Sequence, residues 1–183
     1  MTDEKPDVPD LRSLLREASP PEASVTVPLK QGLAASILQA EAELEKIAAD
    51  APAKRMGAKS PLREKAQEIA DLQAEMAASA LTFHFTAWTD AEREQIRQDM
   101  AGRDDDDELN LRTTAAMCRR VVAADGTEFP DRMTWTDFRD LRATLGGFVY
   151  ESTIDAACTR ASGVRGWSVP FSSAASRILG TAK

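Results

Sequence analysis

Apolar and polar residues first alternate at Ser24-Val-Thr-Val-Pro28, a β-branched run that predicts a short strand with Pro28 at its end or on a sheet edge. The spacing then becomes helical. Leu33, Ile37, Leu44 and Ile47 recur at three- and four-residue intervals, among Glu41, Glu43 and Glu45, until Ala51-Pro52. Residues 53–59 form a basic connection. Ser60-Pro61 opens a second helix carrying Leu62, Ala66, Ile69, Leu72 and Met76. Alternation returns at Leu81-Thr-Phe83-His84-Phe85-Thr86, with Leu81, Phe83 and Phe85 on one face of a second strand. The first half therefore predicts a strand, a helical hairpin and a strand, the hairpin packing antiparallel.

Thr89-Asp-Ala-Glu92 fits a capping box and opens a helix containing Ile96 and Met100, which Gly102 closes. Arg103 and the acids through Glu108 predict a solvated linker. Leu109 to Ala124 predicts one helix, with Leu111, Ala115, Cys118 and Val122 on one side and Arg119-Arg120 toward solvent. Asp125-Gly126 predicts a turn. Thr134, with Asp137 three residues on, caps a helix through Phe138, Leu141 and Leu145 that Gly146-Gly147 break. Another helix is expected from Phe148 to Ala161, then an extended Trp167-to-Phe171 segment and a short last helix to Leu179. The expected fold class is mainly α with a small β component (α+β): an N-terminal strand–helical hairpin–strand unit followed by a helical C-terminal half. The expected divisions are a disordered tail at 1–22, the first unit with its extra helix at 23–101, the linker at 102–108 and a helical domain at 109–183.

Composition narrows the functional classes. Thirty acids against 23 Lys and Arg give a net charge of −7, which disfavours a phosphate-backbone binder or an adsorber to anionic membranes. No apolar run approaches membrane-spanning length, and MTDEKPDVPD lacks the pattern of a signal peptide. These features lead to the expectation of a cytoplasmic protein. Cys118 and Cys158, the two cysteines, are expected as buried free thiols.

Catalytic chemistry finds little foothold. His84 is the single histidine and faces away from Phe83 and Phe85, as a surface residue does. No zinc-type cluster, P-loop, nucleophile elbow or dinucleotide fingerprint occurs. The aspartate run lacks the turn glycine of a calcium loop. No catalytic, cofactor-binding or metal-binding residue is therefore expected, nor an enzyme. The richest aromatic content lies near the C-terminus. Trp135, Phe138, Trp167, Val169 and Phe171 are the candidates for partner contact, with closure of a core as the competing role for each ring.

Trp135-x-x-Phe138-x-x-Leu141, the Gly-Gly break and Val169-Pro-Phe171-Ser-Ser-Ala-Ala-Ser176 together resemble the tail assembly chaperones of long-tailed bacteriophages infecting actinobacteria. The likeness follows the order of elements from Ser24 to Leu179 and is sharpest over Thr134 to Ser176. It implies a non-enzymatic factor in the host bacterial cytoplasm that coats the tape measure protein and keeps it soluble until tail tube protein polymerises. It also implies a frameshifted longer form as a companion and homo-oligomers. Nothing in the likeness accounts for the 103–108 run or the proline-bearing start. A minor head–tail or tail structural protein and a host-directed binding module are the alternative expectations.

Overall fold

The computed structural model describes residues 20–50 and 61–163. It is mainly helical with a small β component, as the hydrophobic pattern predicts, and its sheet has three strands where that pattern predicts two. Strand β1 (Glu22–Pro28) leads to helix α1 (Leu33–Asp50), α2 (Pro61–Ala78) and strand β2 (Ala80–Thr86). Then come α3 (Asp90–Asp99), α4 (Asp106–Met117), β3 (Cys118–Ala123) and α5 (Trp135–Leu145). A last helical stretch consists of α6 (Gly147–Tyr150), a π turn (Glu151–Asp155) and α7 (Ala156–Ala161). The tail expected at 1–22 falls almost wholly outside the described residues, and so does the segment expected beyond Gly163.

The sheet order is β1-β2-β3, antiparallel throughout. Val25 pairs with Phe83, and Phe83 with Val121, so β-branched and aromatic side chains line one face. Helices α5 and α7 cover that face. Phe83, Phe85 and Phe138 form a ring cluster with centroids 6.2 to 6.5 Å apart. Ile154, Ala157 and Ala161 are fully buried beside it. Two alanines at this contact let the backbone of α7 come close to β1 and β2. The other face presents Ser24, Thr26, Thr82, His84 and Arg120, and Thr26 and Thr82 share a 2.9 Å hydroxyl hydrogen bond across the strands.

The single helix expected over Leu109 to Ala124 is corrected to a helix followed by a strand. A β-bulge at Arg119 explains the misleading pattern. Phe85 pairs with Cys118 but His84 pairs with Arg120, which leaves Arg119 as the extra residue. Cys118 and Val121 both face the core although they lie three residues apart, an interval that imitates a helix. The acidic run is corrected too. Asp105 accepts the backbone N–H of Glu108 at 2.9 Å as an N-cap, and Asp106, Asp107 and Glu108 form the first turn of α4. Carboxylates there meet the positive end of the helix dipole.

The bulge also turns the Arg119 side chain back along the sheet, where solvent exposure was expected. Its guanidinium donates to the Thr86 hydroxyl, to the Ala87 carbonyl at 2.9 Å and to both carboxylate oxygens of Glu92. Glu92 is meanwhile the third residue of the predicted capping box: it accepts the Thr89 N–H at 2.8 Å and returns its own N–H to the Thr89 hydroxyl at 3.2 Å. The Arg119 guanidinium, with the Thr89 groups, holds the Glu92 carboxyl down to about 2. An unfolded glutamate titrates near ~4.3. The pair therefore stabilises the fold fully above that pH and loses its contribution as pH falls toward 2.

Glu92→Gln keeps a side-chain acceptor for the box but removes the charge. It should lower unfolding free energy at pH 7 by about 1–3 kcal/mol. Urea melts from pH 7 to 2.5 should show a shallower acid decline for the variant than for the parent. Parallel declines would mean that Glu92 is not a source of the acid sensitivity.

Candidate functional site

The sequence-derived contact residues divide sharply. Phe138 sits on the inward face of α5 with 0% exposure, within the ring cluster against the sheet. It is core, and its candidacy for partner contact is corrected on that ground. Trp135, one turn earlier, is half-buried, and two guanidinium groups lie over its ring. Arg112 is 5.1 Å from the ring centroid and Arg139 is 5.5 Å from it. Both positions suit cation–π attraction. Arg112 is itself anchored by Glu108 at 2.7 Å and Asp99 at 3.1 Å. Trp167, Val169 and Phe171 lie outside the described residues.

Apolar surface appears elsewhere. Phe148 is 84% exposed just after the Gly146 break, where the backbone takes φ 81°. That positive φ suits glycine and ends α5 abruptly. Leu38 on α1 is 66% exposed, and Phe129 and Leu109 are also exposed. Helical spacing does not mark Leu38, which lies one residue outside the inward stripe of α1. Its signal was a large aliphatic residue at an otherwise outward position.

The hairpin is an arm. Leu29 N–H donates to the Ser79 carbonyl at 3.2 Å, Lys30 N–H to the Ser79 hydroxyl at 3.1 Å, and Lys30 pairs with Glu75 at 2.7 Å. These bonds fix its base beside the sheet. Beyond the base, α1 and α2 pack chiefly on each other. Leu33, Ile37, Ala40, Leu44 and Ile47 face Leu62, Lys65, Ile69, Leu72 and Met76, which is heptad spacing on both helices. Of these only Ala40 and Ile69 are buried; the others are half-buried. Two helices alone cannot cover both flanks of their shared seam.

Groups able to do chemistry are muted. Burial pushes the Cys118 thiol up to about 11 and the Cys158 thiol up to about 12, so both stay protonated at neutral pH and neither is an activated nucleophile. Both are free, as expected. His84 lies on the polar sheet face opposite Ser24 and Arg120. Among the described residues no group of three or more His, Cys, Asp or Glu is placed to hold a metal ion, and no helix is long and apolar enough to cross a membrane. The Tyr150 hydroxyl is sealed from solvent without a protein hydrogen-bond partner among the described residues. Its neighbour Thr114 donates to the Asn110 carbonyl at 3.0 Å. Burial, with Asp155 nearby, raises the Tyr150 phenol well above its ordinary range.

Comparison with known proteins returns no matching family model, no matching curated protein and no matching solved structure.

Two substitutions test these assignments. Phe138→Ala should cost about 3–5 kcal/mol in chemical denaturation, as a core ring does; a loss below about 1 kcal/mol would return Phe138 to the surface. Tyr150→Phe removes an unpaired buried hydroxyl and should be neutral or stabilising by up to about 1 kcal/mol. A loss of 2 kcal/mol or more would mean the hydroxyl has a partner.

Proposed function

We propose that this chain is a bacteriophage tail assembly chaperone, a non-enzymatic protein that binds the tape measure protein and keeps it soluble while the tail forms. The resemblance over Thr134 to Ser176 suggests the reading, and one structural observation carries it. Large apolar side chains, Phe148 and Leu38 foremost, stand exposed on a chain of net charge −7. Separated apolar contacts bind long aliphatic helices with little sequence demand, and the charge keeps the carrier itself dispersed. A holdase needs that combination.

In this reading the chain works in the host bacterial cytoplasm, as a homo-oligomer and with a frameshifted longer form of itself. It yields its client when tail tube protein polymerises. Of the two sequence-derived contacts among the described residues, Trp135 is the one that keeps part of its surface accessible.

Co-expression with the cognate tape measure protein provides the test. The soluble fraction of tape measure protein should rise severalfold, and mass spectrometry should find the chain depleted from purified virions. Tape measure protein that stays equally insoluble with and without the chain would overturn the reading. Abundant copies in virions would instead favour a structural tail component.

A further inference from the structure

The two long faces of the arm are unlike. At 100° per residue, one flank of the seam carries Glu43 and Glu68, both bound to Lys65 at 2.7 Å. Glu64, Asp71 and Glu75 continue that flank, so it is acidic, and the Lys65–Glu43 pair crosses it from one helix to the other. The opposite flank has no cross-helix ion pair among the described residues. Interspersed with Glu41, Glu45 and Gln73, it carries six small or apolar residues: Ala34, Leu38 and Ala48 from α1 and Ala66, Ala70 and Ala77 from α2. Five of these six are exposed and Ala34 is half-buried. The alanines let a third backbone approach closely, and Leu38 supplies the one large apolar side chain on the flank able to insert between its residues. The seam between the two flanks is largely half-buried, so a third helix laid on this flank would extend the burial that two helices leave incomplete.

Charge decides the occupant. The two helix sequences hold eight acids and three bases, and Glu41 and Glu45 stand along the alanine–leucine flank itself. A second copy of the arm would bring the same charge and be repelled. The structure assigns this flank as a docking surface for an amphipathic helix of another protein, one with a small-and-leucine face bordered by Lys or Arg. In the chaperone reading that helix belongs to the tape measure protein, and to that extent the inference rests on it. The surface and its chemistry do not.

The probe is a fluorescein-labelled synthetic 18-residue helix with a leucine–alanine face and lysine flanks, titrated with the full chain and followed by anisotropy. A twin peptide carries glutamate in place of lysine. The parent chain should bind the lysine peptide, more tightly at low salt, and the glutamate peptide at least about tenfold more weakly. Leu38→Asp should weaken lysine-peptide binding at least about tenfold. That direction is informative, because an added carboxylate would strengthen a purely electrostatic association. Leu38 is exposed, so the variant should keep the parent's circular dichroism, and Leu38→Ala provides a milder second variant with a smaller loss. Undiminished binding by Leu38→Asp, or no binding of the lysine peptide by the parent, overturns the surface.

Co-expression separates the two proposals. If Leu38→Asp and the parent solubilise tape measure protein equally, the chaperone reading stands and the flank is overturned as its contact. If neither solubilises it while peptide binding still depends on Leu38, the surface stands and the chaperone reading falls.

Discussion

One extra residue in an edge strand sets much of this architecture. The bulge at Arg119 lets Cys118 and Val121 share the core face of a short strand, and it sends a guanidinium back to Glu92. That contact ties the end of β2, the cap of α3 and the start of β3 at one point. An arginine in an unbulged strand would point alternately toward core or solvent and would reach none of these. Glu92 is thereby engaged by a helix cap and by an ion pair at once, a local device and a long-range one sharing two oxygens.

Where local chemistry dominates, the amino-acid pattern was legible. Both capping boxes, at Thr89 and Thr134, form as their side chains dictate. The strand–hairpin–strand unit follows from two alternations bracketing two heptad stripes, and Gly146 breaks its helix with a positive φ. The failures have a common physical origin. A bulge converts a two-residue period into a three-residue interval, so β3 resembled the helix it follows. Aspartates at 105–107 read as a linker because charge runs usually are solvated, yet the same charges favour a helix N-terminus. Aromatic residues near the C-terminus suggest partner contact, yet Phe138 belongs to a ring cluster that only tertiary packing creates. Leu38 stands outside the apolar stripe of its helix, and that position leaves it exposed.

The molecule thus separates two kinds of apolar surface. In the body, the sheet and C-terminal helices seal Phe83, Phe85, Phe138 and Ile154 to 1% exposure or less. In the arm, side chains of similar character stay half-exposed along helices of 18 residues each, about 27 Å in length. The sealed core and the accessible apolar surface thus lie on different elements. Changes on the outer flank of the arm need not disturb the core.

The arm also lies between two strands that must pair. Pro28 meets Ala80 in the ladder, and every residue between them belongs to the hairpin and its connections. Closing so long a loop as free chain would carry a large entropic cost, but a zipped pair of helices delivers both ends already side by side. The helices form from near-neighbour contacts, which are fast, whereas the sheet waits on distant ones. Assembly of the body therefore runs through the arm: the element that reaches outward is also the one that brings the first and second strands together as the chain folds.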